Sequence, residues 1–224
     1  MKTLYFLLLL PFFSNAFNID SMIKISDKDD FFLVSGNNKG REYVNVTLSE
    51  LVSDKNNRYY EIAYDASNVT SWPLSAEPSE IIVSSGEQVR VRINKNYKSS
   101  GNDRIFGVMF NPDTLNDKNN NRYNIPFGYK AWLVIPGTDP LHGVTDVNKG
   151  AKRNIYVVKN DTNKVMVIWA DYCVKGETKG CISQLITRPY SEKKIEINSN
   201  GSPVEFSFYT GAGNDKKLIK RKIL

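Results

Sequence analysis

The sequence predicts an all-β protein whose strands form two β-sandwich domains. Many short runs alternate apolar and polar residues or are rich in β-branched and aromatic residues. Clusters of Asn, Asp, Gly, Ser and Lys, which favour turns, separate these runs, and we find no amphipathic helical pattern. Such strands are typical of sandwiches, and an immunoglobulin-like sandwich uses about 100 residues for seven strands. The 224 residues of the chain are therefore enough for two immunoglobulin-like domains.

The predicted strands begin near residue 42 and continue into the last part of the chain. Each boundary is set by the length of the apolar run and by the turn-forming residues beside it. The final basic segment, 216–224, is compatible with a last strand of the second sandwich or with a mobile arm. The predicted strands are 42–51, 58–64, 80–85, 88–94, 104–110, 130–136, 154–160, 164–172, 194–199 and 204–210.

A segment rich in proline and glycine divides the chain into two parts. Residues 136–143 contain two prolines and two glycines, which is typical of an interdomain hinge. We therefore expect a first domain at residues 17–137 and a second domain at residues 143–224.

Residues 1–16 have the three parts of a secretory signal. Lys2 supplies the positive charge, an apolar run follows from Leu4 to Phe13, and small residues precede a cleavage site near Ala16. A membrane anchor is the alternative, but a spanning helix needs about 20 apolar residues. We therefore expect an exported chain that begins at Phe17 and does not insert into a membrane.

Composition and motifs argue against several classes of function. The formal charge is +6, but the lysines are scattered and form no basic block with interleaved aromatic residues, so we expect no nucleic acid partner. The one histidine, His142, lies in the hinge, and no nucleophile, zinc or phosphate-loop motif accompanies it. The acidic cluster 27–30 lacks the spacing of a calcium loop. We expect no enzyme activity, cofactor or metal.

The two cysteines, Cys173 and Cys181, lie close together in the sequence. In an exported protein, an even and closely spaced pair favours a disulfide over a metal site. The residues between them favour a turn, so we expect this bond to close one hairpin.

The stretch around Pro126 predicts an unusual strand. Large side chains alternate on one face, while Pro126 lacks the N–H group that a central strand donates, so we expect an edge position. Two interpretations remain open: the large side chains fill the first domain's core, or a partner's sheet docks at the edge and receives them in a groove. The continuous apolar run 132–135, which follows, predicts core of the first domain. The alternating side chains are Tyr123, Ile125, Phe127 and Tyr129.

Several stretches share patterns with one protein family. Residues 78–86 and 89–93 have its proline, strand, glycine and closing V-R-[IL] pattern, and residues 103–110 are similar to its next strand. Residues 122–136 stand where the family has a long subunit-binding strand, and residues 154–161 resemble the opening strand of its second domain. The chain thus resembles the periplasmic chaperones of the chaperone–usher pathway of pilus assembly. Its cysteine pair is similar to the disulfide in the branch serving thin colonisation-factor-type or common-pilus-type fimbriae.

The resemblance implies a fold and a function. It implies two immunoglobulin-like domains arranged as an L with a cleft between them, located in the periplasm. Chaperones of this family donate a β-strand to pilin subunits and deliver them to an outer-membrane usher without a nucleotide. Self-association of the free protein is left open.

The resemblance also implies site residues. Lys130 is the counterpart of the lysine that anchors the subunit's C-terminal carboxylate, and Lys24 is the nearest candidate for the family's first-strand arginine. A secreted pilus subunit or adhesin is the alternative function, and it needs a donor extension ahead of its first strand, where residues 17–20 are short. The implied donor face consists of Tyr123, Ile125, Phe127 and Tyr129.

Overall fold

The protein is all-β, as the sequence predicts. The computed structural model describes residues 17–36, 41–97, 100–113, 127–174, 180–199, 201–211 and 216–224. Strands form two sandwich-like bodies, and the one helix among the described residues is the short 3-10 helix Ala66–Ser71. Asp65 caps the start of this helix by accepting a hydrogen bond from the Ser67 N–H group.

The described residues of the first body form ten strands. Its two sheets run in the orders β1-β3-β8-β6 and β2-β10-β9-β4-β5, and β7 also pairs with β4. All neighbours are antiparallel except β2 and β10, which are parallel. The strands are β1 (Asn18–Ile19), β2 (Ile23–Ile25), β3 (Phe31–Ser35), β4 (Glu42–Ser53), β5 (Tyr59–Ala63), β6 (Leu74–Glu77), β7 (Glu80–Val83), β8 (Gln88–Lys95), β9 (Arg104–Pro112) and β10 (Tyr129–Ile135).

Side-chain alternation creates the core of the first body. Phe106, Val108 and Phe110 point from β9 to the interior and are fully buried. Phe110 meets Phe32 of the opposite sheet edge-to-face, with ring centroids 5.8 Å apart. These contacts hold the β2-β10-β9-β4-β5 sheet in place, so its other face is available for other contacts.

In the second body, the residues that the structure describes form seven strands in sheets of order β11-β12-β15 and β14-β13-β16-β17. Its core is built from Ile168 of β13, Phe206 and Phe208 of β16 and their neighbours. The basic C-terminal segment forms a strand paired with β16. Of the two alternatives, a last strand of the second sandwich and a mobile arm, the first is correct. The strands are β11 (Gly143–Lys149), β12 (Ile155–Thr162), β13 (Met166–Asp171), β14 (Ile182–Thr187), β15 (Ser191–Glu196), β16 (Glu205–Thr210) and β17 (Lys217–Ile223).

The predicted disulfide is confirmed. Cys173 and Cys181 are bonded, and their Cα atoms lie 4.8 Å apart. Cys173 follows β13 and Cys181 precedes β14, so the bond joins the two strands of one hairpin.

The prediction for residues 132–135 is half right. Leu133 and Ile135 belong to the core of the first body. Trp132 and Val134 lie on the opposite face, where they pack in a cluster with Val165 of the second body. A strand in a two-layer contact is buried on both faces, which explains the continuous apolar run.

A buried ion pair also joins the two bodies. Lys164 Nζ lies 3.1 Å from an Asp103 carboxylate oxygen, and both side chains are at least nine-tenths buried. The same carboxylate accepts hydrogen bonds from the N–H groups of Val165 and Gly137, at 2.8 Å each. Nearby, the Tyr59 hydroxyl donates to the Pro189 carbonyl. The second body therefore covers one end of the outer face of the β2-β10-β9-β4-β5 sheet.

Candidate functional site

The uncovered part of that outer face carries the charged groups of the site. Even-numbered residues of β10 point to this face, with Val134 under the second body and Lys130 at the uncovered end. Trp132 lies between them. We call this region the Lys130 face; it consists of Lys130, Trp132, Gly107, Ser49 and Glu61.

Lys130 is held in one position by its neighbours. Its ammonium group forms an ion pair with the Glu61 carboxylate and lies 5.2 Å from the centroid of the Trp132 ring. The Lys130 and Glu61 side chains are 32% and 34% exposed. The pair is thus reachable from solvent while remaining partly desolvated.

Gly107 opens the path between Lys130 and Glu61. Lys130 is on β10 and Glu61 is on β5, with β9 and β4 between them in the sheet. A Cβ atom at residue 107 would lie 2.9 Å from Lys130 Cε and 2.4 Å from Ser49 Oγ. The lysine stem therefore crosses β9 over residue 107, and a side chain there would force the Lys130 stem and the Ser49 hydroxyl to shift.

The ion pair lowers the pKa of Glu61. The hydrogen bond from Lys130 is the largest cause, and a hydrogen bond from Ser49 adds to it. Glu61 is therefore a carboxylate at neutral pH, and Lys130 faces a full negative charge.

The main-chain edge of β10 is open next to Lys130. The Trp132 N–H group donates to the Met22 carbonyl at 2.8 Å, and the Val134 carbonyl accepts from Ser26 at 2.7 Å. Because these groups alternate along a strand, the N–H and C=O groups of Lys130 point to the same side. Within the described part of the chain, no strand lies beside Lys130 there, since β2 begins opposite Trp132.

Lys24 lies on the other face of the sheet. It is in register with Leu133, whose side chain enters the core of the first body. Its ammonium group bonds to Asp20 and to the Phe31 carbonyl, each at 2.6 Å. The structure therefore does not bring Lys24 and Lys130 together.

The residues of the implied donor face have different environments. Tyr129 begins β10, is partly buried and meets the Phe17 ring edge-to-face at 5.2 Å. Phe127 precedes the strand and is 59% exposed. Tyr123 and Ile125 lie outside the described residues. The predicted strand around Pro126 is thus observed only from Tyr129 onward.

Glu61, Ser49 and Gly107 were not anticipated from the sequence. Glu61 lies far from Lys130 in the chain, and its strand shows only the usual alternation of polar and apolar residues. One signal was present: an isolated glycine inside an apolar strand marks a close approach by another group, and Gly107 has such a neighbour in Lys130.

Metal-binding clusters and membrane-spanning helices are absent from the described residues. No group of three or more His, Cys, Asp or Glu side chains among them could hold a metal ion. No helix in the same part of the chain has the length and hydropathy to cross a membrane.

Comparison with known proteins gives the family. Residues 19–136 match the family model described as the CS5 fimbrial protein N-terminal domain. The chain belongs to this family. A protein of Escherichia coli described as an uncharacterized 25.9 kDa protein in the CS5 3′ region is 64% identical over the full length of both chains.

Solved structures identify the fold. The crystal structure of the class 5 fimbriae chaperone CfaA has a TM-score of 0.54 at 16% identity, with 92% of this chain and 98% of that one covered. A Salmonella enterica structure of the SafA pilin in complex with the SafB chaperone gives a TM-score of 0.50 at 13% identity, covering 93% and 95%. The fold is that of the chaperone–usher pilus chaperones, with two immunoglobulin-like domains, which confirms the predicted fold and resemblance.

Proposed function

We propose that this protein is a periplasmic chaperone that binds pilin subunits by donating a strand and delivers them to an outer-membrane usher. The open edge of β10 beside Lys130 carries this proposal. An open edge with free N–H and C=O groups is the feature that an added strand uses. A subunit strand placed there would extend the β2-β10-β9-β4-β5 sheet.

The position of β2 favours a particular arrangement. β2 runs parallel to β10 and begins opposite Trp132. A subunit strand in line with β2 would therefore end close to Lys130, which places its terminal carboxylate near the ammonium group. A carboxylate held by an ammonium group in a partly desolvated place gives a charge-assisted hydrogen bond that fixes register. Lys130 is the proposed anchor, and Lys24 is the second candidate.

The proposed donor face continues the core face of β10. Tyr129 is in phase with Ala131 and Leu133, which are buried in the first body. Side chains two residues apart share a face of an extended strand, so an extended donor segment would put Phe127, Ile125 and Tyr123 on the same face as Tyr129. Donated side chains would thus enter a groove of the subunit that continues the chaperone's own core.

The solved relatives support a pilin subunit as the partner of this chain and the periplasm as its location. One solved relative is a chaperone in complex with a pilin, and another is described as a chaperone–tip adhesin complex. The pilus chaperone family is periplasmic. We infer the same location for this chain, with residues 1–16 as its signal peptide and residues 17–137 and 143–224 as its domains.

Co-expression with the CS5 fimbrial subunit tests the proposal. We expect a one-to-one complex by intact mass and a subunit that aggregates when it is expressed alone. Lys130→Ala should keep the free protein folded and reduce the yield of complex several-fold, because the anchor is lost. Lys159→Ala, which removes a lysine from an exposed pair of the second body, is the matched control and should leave the yield unchanged. Equal yields from the Lys130 variant and the control would remove Lys130 from the site.

A fimbrial subunit is the second candidate function, because the matching family model is described as a fimbrial protein. A subunit would enter the assembled fimbria, whereas a chaperone would remain in the periplasm. Fractionation of fimbriated cells separates the two: presence of the chain in washed fimbriae would favour the subunit.

A further inference from the structure

We propose that Glu61 is an internal substitute for the subunit carboxylate: it binds Lys130 in the free protein and must be displaced when a subunit is captured. This inference rests on the proposed function, because it assigns a specificity-determining role to a residue beside the proposed anchor. Glu61 supplies the same chemical group as a chain terminus, a carboxylate with two acceptor oxygens.

The Lys130–Glu61 ion pair depends on small residues at the positions between the two side chains. Lys130 and Glu61 are separated by two strands, and ordinary side chains on those strands would stand between them. Gly107 removes one of these side chains, and Ser49 is small and donates its hydroxyl to the Gly107 carbonyl at 3.4 Å. Three positions on three strands thus combine to place one carboxylate on the Lys130 ammonium.

The location of the ion pair makes Glu61 a competitor of the subunit carboxylate for Lys130. The Lys130 main chain faces the open edge of β10, and its side chain turns inward across Gly107 to Glu61. An incoming carboxylate at the edge must attract the ammonium away from an existing partner of equal charge. The net gain from the anchor is then the difference between two ion pairs, and an unbound Glu61 would repel a second negative charge nearby.

The consequence is selectivity at the expense of affinity. A strand whose terminal carboxylate lies in the correct register replaces Glu61 and keeps Lys130 paired. A strand that ends elsewhere leaves Lys130 with Glu61 and gains nothing from the anchor. Discrimination therefore depends on a built-in alternative that only the correct ligand displaces.

The first measurement tests the pair in the free protein. The acylation rate of Lys130 by an amine-reactive reagent is followed by peptide mass spectrometry in the wild type and in Glu61→Gln. Loss of the carboxylate should raise the labelling rate of Lys130 about threefold or more, because its ammonium group loses its partner, while Lys24 labels at the wild-type rate. Equal labelling of Lys130 in both proteins would overturn the inference, whatever the protein's function.

The second measurement tests the competition. The CS5 fimbrial subunit is the probe, and its dissociation from the complex is compared among variants. Glu61→Gln should bind about twofold to fivefold more tightly than the wild type, the range expected for a partly exposed ion pair. Asp161→Asn makes the same charge change in an exposed pair of the second body and should bind as the wild type does. In a Lys130→Gln background, the gain from Glu61→Gln should be smaller, because no ammonium group is released and only the repulsion between Glu61 and the terminal carboxylate is removed. A gain as large as that in the wild-type background would overturn the competition between the two carboxylates.

The outcomes separate this inference from the proposed function. Capture by the wild type with no gain from Glu61→Gln would overturn the inference and leave the chaperone function standing. Tighter binding by Glu61→Gln and by Asp161→Asn alike would assign the effect to net charge and also overturn it. Failure of every variant to capture the subunit would overturn both.

Discussion

Gly107 is the residue on which the geometry of the Lys130 face depends. The position is buried in the middle of β9 and has side-chain atoms of Ser49 and Lys130 immediately above it. A Cβ atom at this position would lie 2.9 Å from Lys130 Cε, so a larger residue would displace the lysine stem from its present path. A residue without a functional group therefore determines where a charged one can reach.

Gly107→Val tests this dependence. The added side chain should separate Lys130 from Glu61, raise the labelling rate of Lys130 and lower the free energy of unfolding by about 1–3 kcal/mol through overpacking. Ala63→Val is the control. Ala63 is paired with Ser49, as Gly107 is, but it lies on the exposed edge strand β5. The substitution should change neither the labelling rate of Lys130 nor the free energy of unfolding strongly. An intact ion pair in Gly107→Val, seen as wild-type labelling of Lys130, would show that the path does not need the glycine.

At the scale of elements, β17 is attached to the rest of the second body by charge as well as by pairing with β16. Lys220 and Lys222 lie 2.7 and 3.1 Å from the Asp146 carboxylate on β11, which belongs to the other sheet. These ion pairs connect the two sheets at their edges. The hydrogen bond from Lys220 is the largest cause that lowers the pKa of Asp146 to about 2, and Lys222 and the Val147 N–H group add to it.

The lowered pKa predicts an acid-sensitive contribution to stability. Because the folded-state pKa lies below the unfolded value of about 3.9, the contribution is present above about pH 4 and is lost as the pH falls towards 2. We expect the melting temperature of the wild type to fall across this range more than that of Asp146→Asn. The variant should melt lower than the wild type at pH 7. Parallel pH profiles for the two proteins would contradict the assignment.

Some strands can be predicted from the sequence alone, and others cannot. The strands at 104–110 and 204–210 are predicted because their alternation is long and turn residues border them. β2 is missed because three residues are too few for a periodic signal, and its parallel register decides that Lys24 and Lys130 lie on opposite faces. The contact of Lys130 with Glu61 depends on the order of four strands in the sheet. No local pattern contains that information.

In the whole molecule, one buried carboxylate makes several of the polar contacts between the two bodies. Asp103 binds Lys164 and the N–H groups of Gly137 and Val165, so it joins the start of β9, the connecting segment and the second body. Apolar contacts beside it, including Val134 with Val165, exclude water from the pair. The two bodies are therefore held together by a carboxylate whose hydrogen bonds are all made and by the apolar side chains around it.

Asp103→Ala should weaken this connection. Removal of one partner leaves the Lys164 ammonium buried without its counterion, which costs about 3–5 kcal/mol. We expect a lower melting temperature and a larger radius of gyration by small-angle scattering, since the two bodies lose their fixed relation. Asp161→Asn serves as the control for loss of an acid in an exposed pair. A variant with wild-type stability and dimensions would show that the apolar contacts suffice.

Hydrogen–deuterium exchange at residues 129–131 tests whether a subunit strand pairs with the open edge of β10. The Lys130 N–H group faces the open edge of β10, so a subunit strand that pairs there must slow its exchange. We expect protection of this amide when the CS5 fimbrial subunit is bound, with little change at the β5 edge of the same sheet. A stable complex in which the Lys130 amide exchanges as fast as in the free protein would contradict strand donation by β10.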